Sequence, residues 1–497
     1  MSLEKTKSPK DAAVQGFWLG YFVCFAGFYW IAYVLQEFGG LPWVVSVLGF
    51  LLFCLLGQPQ FLISSFLIKK QVSTKPNNSS LLHPFCHALL ITFIYTGLDW
   101  ALPKLFIDTL GHAFYKASYL RQVADFSGVF LLTFLAVFVN YGTWLSIRNW
   151  QENRKIRLNP TLLAGLLCTV LCWSYGFFRY KEIHNIINSP QPTIQVAAIQ
   201  ANIGDIEKLA AEQGIKNAAT TIINTFIKMS SEALTLQNRP DFIIWPETSY
   251  PTAFRNPRTL SELTLDSQIE GYVKKQNIPL LFGGYDHVQG KDFNAFFMLP
   301  TQGALQTYHK SILLLFGEYI PGADFFPFIK DMFPQVGNFG RGNGPETFEV
   351  PLESSKLKSI RISPMICYEA LFSSYGVESA RQGSQLIVNV TNDSWFGLWG
   401  EPQLHLALST FRSIETRLPM IRATNTGFSA LITATGEITH QTTLGSPEIL
   451  NVSIPITPPI STMVRTWGDW FGPFSLAMGI LGLLIQTWST KFSRRKH

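Results

Sequence analysis

Three ionisable residues each close an apolar, strand-like run. Glu247 ends DFIIWPE, Lys310 follows LQTYH, and Cys367 follows RISPMI. Reactive side chains gather at strand ends in α/β domains. A carboxylate, an ammonium and a thiol together suffice for nucleophilic catalysis. A thiol of ordinary pKa, about 8.5, needs a base, which Glu247 would supply. Lys310 would lower the thiol pKa and stabilise the oxyanion of a tetrahedral intermediate. A helix starting after Cys367 would add its positive N-terminus and the Tyr368 N–H as a further oxyanion donor. On spacing alone a second reading stays open. In it Glu247 and Lys310 are ordinary loop charges and Cys367 is a packed thiol.

Alternating elements must carry these residues. TIQVAAIQANI (193–203), DFIIWPE (241–247), IPLLFGGYD, SIRISPMIC and SQLIVNVTN read as strands. The runs 215–237, SELTLDSQIEGYVKKQ, YEALFSSYGVESARQ and QLHLALSTFRSIETR read as helices. FNAFFMLP and GALQTYHK form a hairpin about Thr301-Gln302-Gly303, and MIRATNTGFSALITATGEITHQT gives the last strands. Such alternation predicts α/β layers with helices packed outside sheets.

The rest of the chain is less polar. Of 497 residues only 14% are charged, and the mean hydropathy is +0.17. A soluble protein carries about a quarter charged residues. Apolar blocks at 16–36, 41–68, 86–103, 124–147, 160–179 and 471–488 each approach the ~20 residues needed to cross a bilayer. Asp99 interrupts the third. Three regions follow: residues 1–185 with about five spans, an α/β domain at 190–460, and a terminal span with a basic tail at 468–497. Lys and Arg concentrate at the N-terminus, in the second and fourth loops and in the tail. With six spans all four lie on the cytoplasmic side, which puts the α/β domain outside. The net charge of +6 is a topology signal, not a nucleic-acid surface. Cys367 is then the one cysteine of the exported domain, where a lone thiol implies a use.

IIWPETSYP, YHKSILLLFGEYIP, PMICYEALF and VNVTNDSWFGLWGEPQLHLALSTFRSIETRLPMIRATNTGFSALI resemble the nitrilase superfamily, and within it the apolipoprotein N-acyltransferases. The resemblance covers about 193–450 and the flanking spans. It implies a nitrilase-like α-β-β-α sandwich attached to a helical transmembrane bundle. It implies Glu247 as general base, Lys310 as oxyanion lysine and Cys367 as nucleophile. Glu318, Tyr368 and Glu369 support them. It also implies a membrane phospholipid as acyl donor, through the sn-1 ester of phosphatidylethanolamine, and a diacylated apolipoprotein as acceptor. No cofactor is implied. The expected setting is the bacterial inner membrane, with the catalytic domain in the periplasm and the chain a monomer. The family has eight spans, seven before the catalytic domain, whereas five precede it here. A membrane-tethered amidase acting on a small amide is the alternative.

Several further features need a reading. The histidines show no HExxH and the cysteines no CxxC, so no metal site is expected. Trp395, Phe396 and Trp399 read either as core aromatics or as a substrate-binding, lipid-touching arm. His309 reads as a strand residue and His405 as a helix-packing or capping residue. GNFGRGNG (337–344) lacks a phosphate-loop Lys and reads as a flexible loop near the site.

Overall fold

The computed structural model describes residues 6–72, 82–153, 159–204, 218–320, 337–352 and 357–494, together with 322, 325 and 328. It separates into two compact units. One comprises Met1–Ala32, Trp43–Lys181 and Thr466–His497, the other Tyr33–Pro42 and Glu182–Arg465.

The first unit is helical: α1 (Pro9–Gly27), α3 (Trp43–Leu56), α4 (Pro59–Val72), α5 (Leu82–Ala101), α6 (Phe130–Asn153), most of α7 (Pro160–Asn188), and α12 (Phe471–Arg494). A short helix α2 (Ile31–Glu37) follows α1. Small residues let helices approach closely, as membrane interfaces require. A Cβ on Gly16 would lie 2.2 Å from the Phe61 carbonyl oxygen, and one on Gly97 2.4 Å from Leu476 Cα. Two buried carboxylates are paired: Lys104 Nζ lies 2.9 Å from Asp99, and Arg179 Nε 2.8 Å from Asp125.

Among the described residues, four segments are long and apolar enough to cross a membrane: Trp43–Lys70, Phe130–Glu152, Pro160–Asn188 and Phe471–Trp488. The pair α1 and α2, bent by 58°, would make a fifth. The chain is a multi-pass membrane protein. The expected span at 86–103 does form a helix, α5, but α5 is not among these segments. Its polar residues, His87 and Asp99 included, lower its hydropathy.

The second unit holds two six-stranded mixed sheets. The strands are β1 (Thr193–Gln200), β2 (Phe242–Ile244), β3 (Leu280–Val288), β4 (Lys291–Leu299), β5 (Gln306–His309), β6 (Phe348–Pro351), β7 (Ser359–Ile366), β8 (Leu386–Thr391), β9 (Met420–Thr424), β10 (Ala430–Ile432), β11 (Ile438–Gln441) and β12 (Glu448–Pro455). Their orders are β12-β1-β2-β3-β4-β5 and β11-β10-β9-β8-β7-β6. The parallel strands β1-β2-β3 and β7-β8-β9 occupy the sheet centres. There, FII and LIVNVT are buried at every residue, as covered parallel strands are. The expected β4–β5 hairpin forms, with Ala295 opposite His309.

The sheets face each other, β1 against β9 and β4 against β7. Helices α8 (Ala218–Ala233) and α9 (Leu260–Gln276) cover the first sheet. Ile222, Ile223, Phe226 and Ala233 bury one face of α8 at helical spacing. Phe226 stacks on Trp245 at 5.1 Å, and the indole N–H donates to Ser230 Oγ at 2.8 Å. Helices α10 (Ser373–Arg381) and α11 (Glu401–Thr416) pack together beside the second sheet, giving the α-β-β-α sandwich. The expected helix at 215–237 is described from Ala218, its start lying outside the described residues.

One glycine of β3 makes room for the chain beyond β2. A Cβ on Gly283 would fall 2.5 Å from Glu247 Cα and 2.8 Å from the Pro246 carbonyl oxygen. Both obstacles are backbone, so no side-chain rotation relieves them. Gly283→Ala should therefore cost about 1–3 kcal/mol, the usual range for overpacking. It should lower the thermal midpoint and slow any reaction that uses Glu247. A variant with unchanged midpoint and reactivity would show that β3 does not constrain this turn.

Candidate active site

Glu247 sits three residues beyond β2. Thr248 after it has φ +49°, in the left-handed region. That region costs a residue with a Cβ roughly 1–2 kcal/mol, so the surroundings must enforce it. The Glu247 carboxylate is held from three directions. Oε1 accepts from Lys310 Nζ at 3.2 Å and from Asn294 Nδ2 at 2.8 Å, and Oε2 accepts the Asn392 N–H at 2.9 Å.

Lys310 follows β5, and its backbone N–H donates to the Asn294 carbonyl at 2.9 Å. Its buried ammonium donates to Glu318 Oε1 at 2.7 Å as well as to Glu247. Burial alone would pull the lysine pKa down. The two carboxylates outweigh it and hold Lys310 well above its ordinary value. Glu318 is itself fixed, because Oε2 accepts the Leu314 N–H at 2.8 Å.

Cys367 directly follows β7 and also has a left-handed backbone, φ +50°. Its thiol is buried and hydrogen-bonded to the Thr391 hydroxyl. Burial pushes the thiol pKa up and Glu247 raises it further, while Lys310 acts against them. The outcome is well above the ordinary range. Cys367 is thus held as a thiol.

The helix expected after Cys367 is divided. Cys367–Leu371 form a 3₁₀ turn, Phe372 is extended at φ −92° and ψ 116°, and α10 starts at Ser373. Glu369 is the cause. Its Oε2 accepts the Ile366 N–H at 2.7 Å, which draws the chain into a tight turn. Its Oε1 accepts from Tyr308 Oη at 2.6 Å and from the Ser311 and Ile312 N–H groups at 2.7 and 3.2 Å. One carboxylate thus ties the segment before Cys367 to the segment after Lys310. Burial pushes the Glu369 pKa up to about 7, against the pull of these hydrogen bonds. Tyr368 is buried, its ring edge-on to Phe372 at 5.0 Å.

Glu247, Lys310, Glu318 and Cys367 are thus gathered in one place. The aromatic residues are not. Phe396 is buried, Trp395 packs on Phe38 at 4.3 Å, and Trp399 is 75% exposed. His309 stacks on Phe293 at 4.3 Å and bonds Asp286 at 2.7 Å, so its role is structural. The Gly-rich stretch is near the site but closely packed. The Gly342 N–H donates to the Lys310 carbonyl, and a Cβ there would meet the His309 oxygen at 1.9 Å.

Asn294 escaped the sequence reading. Its amide donates to Glu247 and also to Glu318 Oε1 at 3.0 Å. The signal was a lone amide inside the apolar strand FNAFFMLP. Asp393, Glu401 and His405 form a group whose ligand atoms lie within 4.8 Å of one another. Arg422 already supplies the cation there: Nη2 is 2.9 Å from Asp393 Oδ2 and 3.0 Å from His405 Nδ1. A metal ion would have to displace a guanidinium, so the donor set does not fit one.

Two facing sheets with helices outside them, and a carboxylate, an ammonium and a thiol gathered at their strand ends, define an α-β-β-α sandwich with a polar cluster at its strand ends. The carbon-nitrogen hydrolase family model matches residues 195–457, and the apolipoprotein N-acyltransferase N-terminal domain model matches residues 1–142. Over 97% of its length the chain is 31% identical to apolipoprotein N-acyltransferase of Bdellovibrio bacteriovorus, covering 87% of that protein. It is 30% identical over 94% of its length to the Geobacter metallireducens enzyme of the same name, covering 85% of it. The Borreliella burgdorferi protein of that name is 26% identical over 98% of this chain and 85% of its own. The chain belongs to the carbon-nitrogen hydrolases, in the apolipoprotein N-acyltransferase family.

Glu369→Gln tests the tie across the site. An amide presents N–H groups where one carboxylate oxygen now accepts. A buried group so mismatched costs about 1–3 kcal/mol. The thermal midpoint should fall, and alkylation of Cys367 by iodoacetamide should change with it. An unaltered midpoint would mean that these oxygens do not hold the turn.

Proposed function

We propose that the protein moves a fatty acyl chain from a membrane phospholipid to the N-terminal amine of a diacylglyceryl-cysteine on a bacterial lipoprotein, through a thioester on Cys367. The observation that carries this reading is the buried Glu247–Lys310–Glu318 ion cluster beside a thiol on a left-handed backbone.

In the first half-reaction the Cys367 proton passes to Glu247 as Sγ attacks the ester carbonyl. Lys310 Nζ and the Tyr368 N–H hold the oxyanion. The intermediate collapses, the C–O bond breaks, and the lysophospholipid leaves with the proton from Glu247. In the second half-reaction the α-amine attacks the thioester and gives a proton to Glu247. The C–S bond breaks, an amide remains, and the thiol regains its proton. The ester supplies the acyl group already activated, so no cofactor enters. Glu318 orients Lys310, and Glu369 and Tyr368 shape the turn. The exposed Trp395 and Trp399 suit contact with acyl chains.

Residues 1–185 and 468–497 anchor the domain of 190–460 to the inner membrane, with that domain in the periplasm. The clustering of Lys and Arg supports this orientation, and both substrates reside in the bilayer. Labelling of cysteines introduced at 185–190 and at 497 should report opposite sides of the membrane. Both sites on one side would refute the arrangement.

Incubation of the full chain with phospholipid should add one fatty-acyl mass to Cys367, and Cys367→Ser should abolish the thioester while leaving the fold intact. Glu247→Gln should block loading itself. Glu318→Gln should slow both half-reactions by about 10²–10³, as loss of an oxyanion donor does. A Glu247→Gln variant that loads normally and fails only in transfer would reassign the base. Release of ammonia from a small amide, with no acyl adduct from any phospholipid, would favour an amidase.

A further inference from the structure

The nucleophile is gripped at two points, its thiol and its own carbonyl. The carbonyl of Cys367 lies 3.2 Å from His405 Nε2. A carbonyl oxygen only accepts, so Nε2 carries the proton. The other face of the imidazole is fixed by three charged groups. Nδ1 lies 3.2 Å from Asp393 Oδ1, 3.4 Å from Glu401 Oε1 and 3.0 Å from Arg422 Nη2. Asp393 in turn accepts from Thr391 Oγ1 at 3.1 Å, and Thr391 bonds the Cys367 thiol. The path from Sγ through Thr391, Asp393 and His405 back to the Cys367 carbonyl closes on itself.

That carbonyl belongs to the Cys367–Tyr368 peptide, whose N–H is the Tyr368 N–H. In a trans peptide the C=O and N–H point to opposite sides of the chain. A donor that fixes the oxygen on the α11 side therefore aims the N–H at the opposite side. It also polarises the peptide, which makes the N–H a stronger donor. Cys367 also holds a left-handed φ, which its surroundings must enforce.

We propose that His405 is a positioning residue for acyl transfer, holding the Cys367 carbonyl so that the Tyr368 N–H faces the developing oxyanion. The inference rests on the acyl-transfer reading above. His405 touches neither the acyl group nor the reacting sulfur; it acts through the peptide bond that follows the nucleophile.

The test compares two reactions of one thiol in the full-length protein. Attack on a phospholipid ester develops an oxyanion, whereas alkylation by iodoacetamide develops none. His405→Leu should slow single-turnover acylation of Cys367 by about 10²–10³, as loss of an oxyanion donor does. Alkylation should fall far less, within about tenfold, since only the oxyanion step needs the aimed N–H. His405→Gln places an amide N–H at the reach of Nε2 and should restore most of the acylation. His405→Asn, one methylene shorter, should not.

Equal loss of acylation and alkylation in His405→Leu overturns the proposal, because it shows a merely structural role. So does acylation at the native rate. If His405→Leu does not fold, the Gln and Asn variants decide, and equal acylation by the two overturns it. A native protein that takes no acyl group from any phospholipid overturns the acyl-transfer reading itself. A native protein that loads normally beside a fully active His405→Leu overturns only the role of His405.

Discussion

The buried ammonium of Lys310 is the constraint on which the site depends. It lies 2.7 Å from Glu318 and 3.2 Å from Glu247. Two carboxylates taken out of water around one lysine carry a large desolvation cost, repaid only if every lone pair finds a donor. The donors come from separate parts of the fold: the Asn294 amide from β4, the Asn392 N–H from beyond β8, and the Leu314 N–H from the loop after Lys310. The cluster is therefore stable only when both sheets are in register.

The strained backbones follow from this. Thr248 and Cys367 flank the cluster at φ +49° and +50°, and neither is a glycine. Each is over-determined by neighbours. Gly283 admits the Glu247 turn, and Glu369 with His405 brackets Cys367 before and after the residue. Local preference gives way to the ion cluster at these two positions, which is where sequence and structure are expected to disagree when chemistry is at stake.

The strand ends were legible because an apolar run that stops at an ionisable residue marks where a strand leaves the core. That pattern singled out Glu247, Lys310 and Cys367 but left the reading of loop charges and a packed thiol open; the resemblance gave them roles and added Glu318, Tyr368 and Glu369. The divided helix after Cys367 was not legible. Its break comes from the Glu369–Ile366 hydrogen bond and the buried partners of Glu369, and periodicity contains neither. Asn294 and Arg422 stayed hidden inside apolar strands, where a single polar residue looks like noise until its partner from another strand is known. The rigidity of the Gly-rich stretch depends on the close approach of Gly342 to His309, a tertiary contact. The bend between α1 and α2 likewise leaves no mark in a hydropathy profile.

Two carboxylates around one ammonium leave a residual negative charge in a largely buried site. Such a field acts on whatever enters or leaves. It repels hydroxide and the carboxylate of a free fatty acid, and it attracts an ammonium. Under the proposed acyl transfer, the amine acceptor is drawn in as its ammonium and must leave a proton with a carboxylate before it attacks. In the proposed reaction the ion cluster thus bears on which acceptor approaches the thioester, beyond its place beside the thiol.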